Sequence, residues 1–221
     1  MTASPLLDIS VPLNADLPVW TGSPGTSRRA ILSRAAGDDA NATELTMDVH
    51  CGTHIDAPRH FIDDGDTLEA VALDRINGAT FVAQIGPSLD IGPADLDAAE
   101  IPDGAKRLLL KTSNSEIDDL YSTPFRTDYA ALSPAGAEWV RDRGIDVIGI
   151  DYLSIQRFHD PPDAHVTILG AGIIIVEGLR LTHAAPGWHD MICMPILLDG
   201  AEAAPARVAL RPLQQGTPEH G

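Results

Sequence analysis

His50-Cys51-Gly52-Thr53-His54-Ile55-Asp56-Ala57-Pro58-Arg59-His60 is the stretch on which the reading of this chain turns. It sets three of the chain's eight histidines and one carboxylate within eleven residues, spaced H-x3-H-x-D-x3-H. Neutral imidazole and carboxylate are side chains that bind zinc, manganese and similar divalent cations. On a helix, His50 and His54 would share a face, but Asp56 and His60 would rotate away from it. Gly52 and Pro58 also oppose a helix interior. On a straight strand all four would point to one side but spread over ~33 Å. Ligand atoms lie only about 2 Å from a shared metal. Convergence therefore needs a bent backbone, which Gly52 permits and Pro58 enforces. The expectation is a strand end followed by a tight, irregular loop. The competing reading, histidines of core or surface unrelated to a metal, suits one histidine better than three with an aspartate.

Outward from this stretch, composition bounds the rest. The chain has 221 residues, 44% hydrophobic and 21% charged, which describes a folded chain with a substantial core. A net charge of −17 repels nucleic acid and anionic membranes, so neither is an expected partner. The two cysteines, Cys51 and Cys193, are too few for a disulfide framework. Cys51 lies inside the histidine stretch, where a small buried side chain is a better reading than a thiolate ligand. Met1 to Ser10 carries neither a basic region nor an apolar one, and no apolar run approaches the ~20 residues of a membrane span. A cytoplasmic location is expected. No linker divides the chain, so residues 1–221 are read as one domain.

The pattern predicts strands at Leu6–Leu13, Ala30–Ala36, Thr43–Val49, Thr80–Ile85, Arg107–Lys111, Ile145–Ile150, Ile173–Val176, Met191–Leu198 and Arg207–Leu210. The second and third should pair around Gly37-Asp38-Asp39. Short helices are expected at Leu68–Ile76 and from Gly92-Pro93 to about Glu100. Ser133-Pro134 is a strong helix start and Gly144 its end. Asp163 can cap a helix that holds His165 and stops at Gly170-Ala171-Gly172. Asn114–Thr127 reads as a long loop, and Gln214–Gly221 as a polar tail. Asp63, Asp64 and Asp66 around Gly65 do not match a calcium loop and read as a solvated turn. Alternation of strands and helices suggests an α/β layer, in a mixed, strand-rich chain with few helices. Trp20 stands in a proline-flanked loop, where it is either a surface anchor or an aromatic wall. Glu177 closes a buried strand, at a sheet edge where sites are often built.

H-x-G-T-H-x-D-x-P-x-H, with all seven fixed positions present from His50 to His60, resembles the signature of the metal-dependent cyclase family. That family includes bacterial kynurenine formamidase (arylformamidase) and isatin hydrolase. Three further patterns support the likeness. The opening Asp8-Ile9-Ser10 to Trp20-x-Gly22 is similar to the family's, where the tryptophan lines the active site. His165-x3-Leu169-Gly170-Ala171-Gly172-x4-Glu177-Gly178 resembles its second motif, and Cys193-Met194-Pro195 with Pro205-Ala206-Arg207 its close. The likeness runs from about Leu6 to Pro212.

The resemblance implies a swivelling β/β/α fold, two divalent metals, zinc or manganese, and a homodimer or higher homo-oligomer. It implies that His50, His54 and Asp56 hold one metal, and that Asp56, His165 and Glu177 hold the second, with Glu177 also reaching the first. His60 would be the general base and then the general acid; spacing alone does not say which histidine is spared. Trp20 and Phe61 would offer apolar surface to the substrate. The implied reaction is hydrolysis of a small-molecule amide by metal-bound hydroxide, with N-formyl-L-kynurenine the named candidate and the cyclic amide of isatin the alternative. A non-catalytic metal centre and a ligand-binding protein on the same fold are rival readings. A closed structural zinc site prefers four ligands, commonly with cysteine.

Overall fold

The computed structural model describes residues 5–117, 121 and 124–213. Its strands are β1 (Leu7–Asp8), β2 (Thr26–Leu32), β3 (Ala42–Met47), β4 (His54–Asp56), β5 (Gly78–Gln84), β6 (Asp90–Ile91), β7 (Arg107–Lys111), β8 (Ala131–Leu132), β9 (Val147–Ile150), β10 (Ile174–Glu177), β11 (Gly187–Pro195) and β12 (Ala203–Pro212). Its α-helices are α1 (Leu73–Ile76), α2 (Pro93–Ala98), α3 (Pro134–Asp142) and α4 (Asp163–Gly170). The chain is thus mixed α/β, rich in strands and sparing of helices.

Seven strands close on themselves. The ring runs β12–β11–β5–β7–β9–β10–β4 and returns from β4 to β12. Strands β5, β7, β9 and β10 are parallel, and the remaining joins are antiparallel. Closure depends on the length of β12, whose first three residues pair with β4 and whose remainder pairs with β11. Strand β1 adds outside the ring, setting Leu7 against Leu210.

Side chains alternate between the faces of a strand, and this sorts the apolar residues into two cores. Val82, Leu109, Val147, Val176, Met191 and Val208 fill the interior of the ring. Their neighbours Leu108, Leu110, Ile148, Ile150 and Ile175 face outward, where α3 and α4 cover them with Val140, Ile168 and Leu169. Strands buried on both faces carry unbroken apolar runs, which is why β7 and β10 are conspicuous in the sequence. Each fully buried leucine or isoleucine contributes ~1.5–3 kcal/mol. Helix α3 starts as expected: Ser133 Oγ accepts from Gly136 N at 3.0 Å and Pro134 occupies the first turn.

Several elements depart from expectation: β11 and β12 each start four residues early, and α4 is preceded by Pro162, with Asp163 its first residue and not its cap. The paired part of the first strand is two residues, because Ser10 Oγ takes over the exchange with Val208 and Pro12 lacks a donor. The strand expected at Ala30–Ala36 lies four residues earlier. At Ser33 and Arg34 the backbone donates to Asp38 and Asn41 side chains instead of to a ladder. Leu68–Ile76 divides into a 3-10 turn at Leu68–Ala70 and α1. The histidine stretch adds a strand to the expected loop: the loop comes first, then the strand β4, then a 3-10 turn at Pro58–His60. The β2–β3 hairpin stands off the body, exposed along nearly its whole length.

Gly178 follows β10 with φ 67°, and a Cβ there would lie 2.1 Å from the carbonyl oxygen of Gly52. The backbone of the histidine loop therefore rests directly on the end of β10. Gly178→Ala is expected to cost ~2–3 kcal/mol, read as a lower urea midpoint. An unchanged midpoint would mean that these two loops do not touch.

Candidate metal centre

Strand β4 is the axis of the site. Ile55 points into the ring core, so His54 and Asp56 on either side of it point outward together. The antiparallel pairing with β10 sets Glu177 directly opposite His54. Helix α4 brings His165 over Glu177, with Nε2 at 3.2 Å from Oε1. His50 enters from the loop before β4, and His60 from the 3-10 turn opened by Pro58. Thr53 ties this to the chain's start: its Oγ1 donates to Gly178 O at 2.6 Å and accepts from Val11 N at 2.8 Å. The six charged and imidazole residues singled out in the sequence thus meet in one place, more than a hundred residues apart in the chain.

Asp56 lies at the centre. Its Oδ1 is 3.0 Å from His50 Nδ1 and 3.5 Å from His54 Nε2. His54 Nε2 is also 3.4 Å from Glu177 Oε2. Two sets of donor atoms, each within 4.8 Å of one another, result: His54, Asp56 and Glu177, and His50, Asp56 and His60. His54 reaches both Asp56 and Glu177, His60 stands beside His50, and His165 lies against Glu177.

The outer nitrogens of three imidazoles face acceptors. His54 Nδ1 donates to Gly52 O at 2.9 Å. His165 Nδ1 donates to Gln156 Oε1 at 3.2 Å, and Gln156 is oriented in turn by donation from its Nε2 to Asp160 O. His50 Nε2 faces Glu202 Oε1 at 3.4 Å. In each ring the other nitrogen is turned toward Asp56 or Glu177. This is how metal-binding histidines are held, the outer N–H fixing which nitrogen offers its lone pair. The His60 ring has no such hydrogen bond or ion pair among the described residues.

Two buried atoms, His54 Nε2 and Asp56 Oδ2, have no hydrogen-bond partner among the described residues. A buried carboxylate oxygen without a partner is costly. An imidazole nitrogen and a carboxylate oxygen, both buried and both unpartnered, are the donor set that a divalent cation satisfies. Electrostatics agree. Burial works to raise the carboxyls of Asp56 and Glu177, but the surrounding histidines hold both below the usual range. Burial works to lower His50, yet Asp56, Glu177 and Asp48 hold it up to about 9. His54 is raised for the same reason, against burial. His60 alone moves down, through burial and the neighbouring charge of His50.

A cavity of about 410 Å³ opens onto these groups, with Trp20 and Phe61 in its wall. Trp20 packs on Phe125 and Phe158, with ring centroids 5.4 and 5.0 Å away. Phe61 stacks on His165 at 4.5 Å and meets His60 edge-on at 4.4 Å. Its main contacts are therefore imidazoles. Sequence reasoning missed Gln156 and Glu202, and also Ile155, whose N–H donates to Glu177 Oε1 at 2.6 Å. Only a strand pairing or a folded loop brings these three near, so no local signal marked them.

Comparison with known proteins now adds a family. A family model described as "Putative cyclase" matches residues 7–157. The chain belongs to the cyclase family. It is 33% identical to cyclase-like protein 3 of Oryza sativa subsp. japonica, over 93% of this chain and 79% of that protein. It is 32% identical to kynurenine formamidase of Bacillus anthracis, over 96% of this chain and 100% of that protein. A solved structure of a potential metal-dependent hydrolase with cyclase activity superposes with TM-score 0.82 at 32% identity, over 94% of this chain and 98% of that one. Isatin hydrolase A of Labrenzia aggregata shares the fold, with TM-score 0.77 at 20% identity and 93% of each chain covered.

In this cyclase-family chain His50 carries a proton up to about pH 9 without metal, and that proton must leave before Nδ1 can bind one. Zinc binding to metal-free protein at pH 7.5 is therefore expected to release at least one proton, and zinc affinity to climb with pH until about 9. Calorimetry in buffers of different ionisation enthalpy reads both. An affinity flat from pH 7 to 9 would remove His50 from the ligand set.

Proposed function

We propose that the chain is a metal-dependent hydrolase of carbon–nitrogen amide bonds, acting on aryl formamides of the N-formyl-L-kynurenine type. The observation that carries this is the division among four clustered imidazoles. Three have an outer nitrogen facing an acceptor and an inner one turned to Asp56 or Glu177; the fourth, His60, lies within 4.8 Å of the His50 and Asp56 donor atoms but has no acceptor on either nitrogen among the described residues. The 32% identity to a kynurenine formamidase over the whole of that protein supports the substrate class. His50, His54, Asp56, His165 and Glu177 would hold two divalent ions, zinc or manganese. Such ions supply Lewis acidity and a water acidified toward neutral pH.

His60 does the proton work. Its lowered pKa leaves it neutral at pH 7, so it can take a proton from the attacking water. The water oxygen adds to the formyl carbon, the C–N bond breaks, and His60 returns the proton to the departing aryl nitrogen. The products are formate and the free aryl amine. Phe61 limits the motion of His60 and His165 by packing on both. Trp20, backed by Phe125 and Phe158, offers the flat apolar surface for the aryl ring.

The same reading takes the whole chain as one catalytic domain of the swivelling β/β/α type, a homodimer working in the cytoplasm. No helix of the described residues is long and apolar enough to cross a membrane.

The test is release of kynurenine from N-formyl-L-kynurenine by zinc- or manganese-loaded protein, with a chelator-treated control. Metal-dependent release is expected. No release from metal-loaded protein would sink the formamidase reading and turn attention to cyclic amides. His60→Ala is expected to lower kcat ~10²–10⁴-fold while metal content by mass spectrometry stays unchanged. Loss of metal would make His60 a ligand, as its place beside His50 and Asp56 allows. The neutral form of His60 is lost as pH falls, so the wild-type acid limb of kcat/KM should lie below pH 6.5 and shift or vanish in His60→Ala.

A further inference from the structure

Glu202 sits where the ring closes. Its carbonyl accepts from Ala57 N at 2.8 Å, and the next residue, Ala203, is paired with Asp56. Strand β4 is therefore flanked by a carboxylate on each side, Glu177 from β10 and Glu202 from the residue just before β12. Glu177 is buried, whereas the Glu202 side chain is 41% exposed and reaches the outer nitrogen of His50 at 3.4 Å.

The three imidazoles facing Asp56 and Glu177 are unequally supported. The outer nitrogen of His54 meets a backbone carbonyl, and that of His165 a glutamine amide that is itself hydrogen-bonded. The side chains of both are nearly sealed, 1% and 6% exposed, while that of His50 is 23% exposed. His50 thus has the most freedom to turn, and among the described residues a solvent-facing carboxylate is what meets its outer nitrogen.

We propose that Glu202 is a positioning residue of the metal centre: as the acceptor facing the Nε2–H of His50 at 3.4 Å, it holds the ring so that Nδ1 is the nitrogen offered beside Asp56. The placement fits. A glutamate can follow the ring at 3.4 Å because its own backbone is pinned at Ala57, the residue after Asp56. The proposal rests on the reading of His50 as a ligand, and the experiment separates the two.

Zinc affinity is measured by competition with a chromophoric chelator for the wild type, Glu202→Ala, Glu202→Gln, His50→Ala and the double variant Glu202→Ala/His50→Ala. Thermal scans of the metal-free proteins check folding. Glu202→Ala is expected to weaken zinc binding ~10–100-fold, the usual size for a lost outer partner of a metal-binding histidine. Glu202→Gln, which keeps an acceptor oxygen, should recover most of that loss. In the His50→Ala background, removing Glu202 should cost nothing further. An unchanged affinity in Glu202→Ala overturns the proposal. So does an equal loss in the His50→Ala background, which would make Glu202 a ligand or a source of bulk charge. An unchanged affinity in His50→Ala overturns the ligand reading itself, and the proposal with it.

Discussion

Two carboxylates that face each other in a dry place constrain everything around them. Asp56 and Glu177 are both buried, both on adjacent paired strands, and both held in the charged form. Like charges this close repel, and burial removes the water that would screen them. The fold answers with imidazoles on three sides and with donated backbone N–H groups such as that of Ile155. Even so, one oxygen of Asp56 and one nitrogen of His54 are left without partners. A fold optimised only for stability would replace such a pair with apolar side chains. Its retention makes sense as a socket for positive charge.

The scaffold around the socket is rigid for identifiable reasons. Interior packing reaches the backbone at Gly149, where a Cβ would lie 2.6 Å from Leu109 Cδ2 and 2.8 Å from Leu179 Cδ1. Contact between Gly52 and Gly178, reinforced by the two hydrogen bonds of Thr53, fixes the loop that carries His50. The groups that must not move thus stand on strands or on loops pressed against them. His60 differs: its turn is fixed, but its ring packs on aromatic neighbours and makes no hydrogen bond or ion pair among the described residues.

How much of this was legible in the sequence depends on how local each cause is. The seven fixed positions from His50 to His60 are visible because the ligand types cluster within one loop and one short strand. Buried strands β7, β9 and β10 are visible through unbroken apolar runs, and α3 through its Ser-Pro start. Strand β4 is three residues long, too short to show any alternation, so after β3 only a loop was read and the strand at His54–Asp56 was missed. The start of β12 was hidden by Pro205, which lacks an N–H and reads as a strand breaker. It is tolerated where it stands, opposite His54. Without β12 at full length, neither the closed ring nor the approach of Glu202 to His50 can be read. The places of His165 and Glu177 came from resemblance to family motifs.

The ring's closure also sets when the centre can exist. Strand β4 lies in the first quarter of the chain, yet both of its partners lie beyond residue 170, and the last joins it only at Ala203–Pro205. Contacts of such long sequence separation carry a high loop-closure cost and form slowly. During synthesis, His50, His54 and Asp56 emerge long before any group that completes their surroundings. The histidine loop therefore lacks its native neighbours until residues 203–205 are available to pair with β4. The donor atoms reach their native geometry only after β12 has closed the ring.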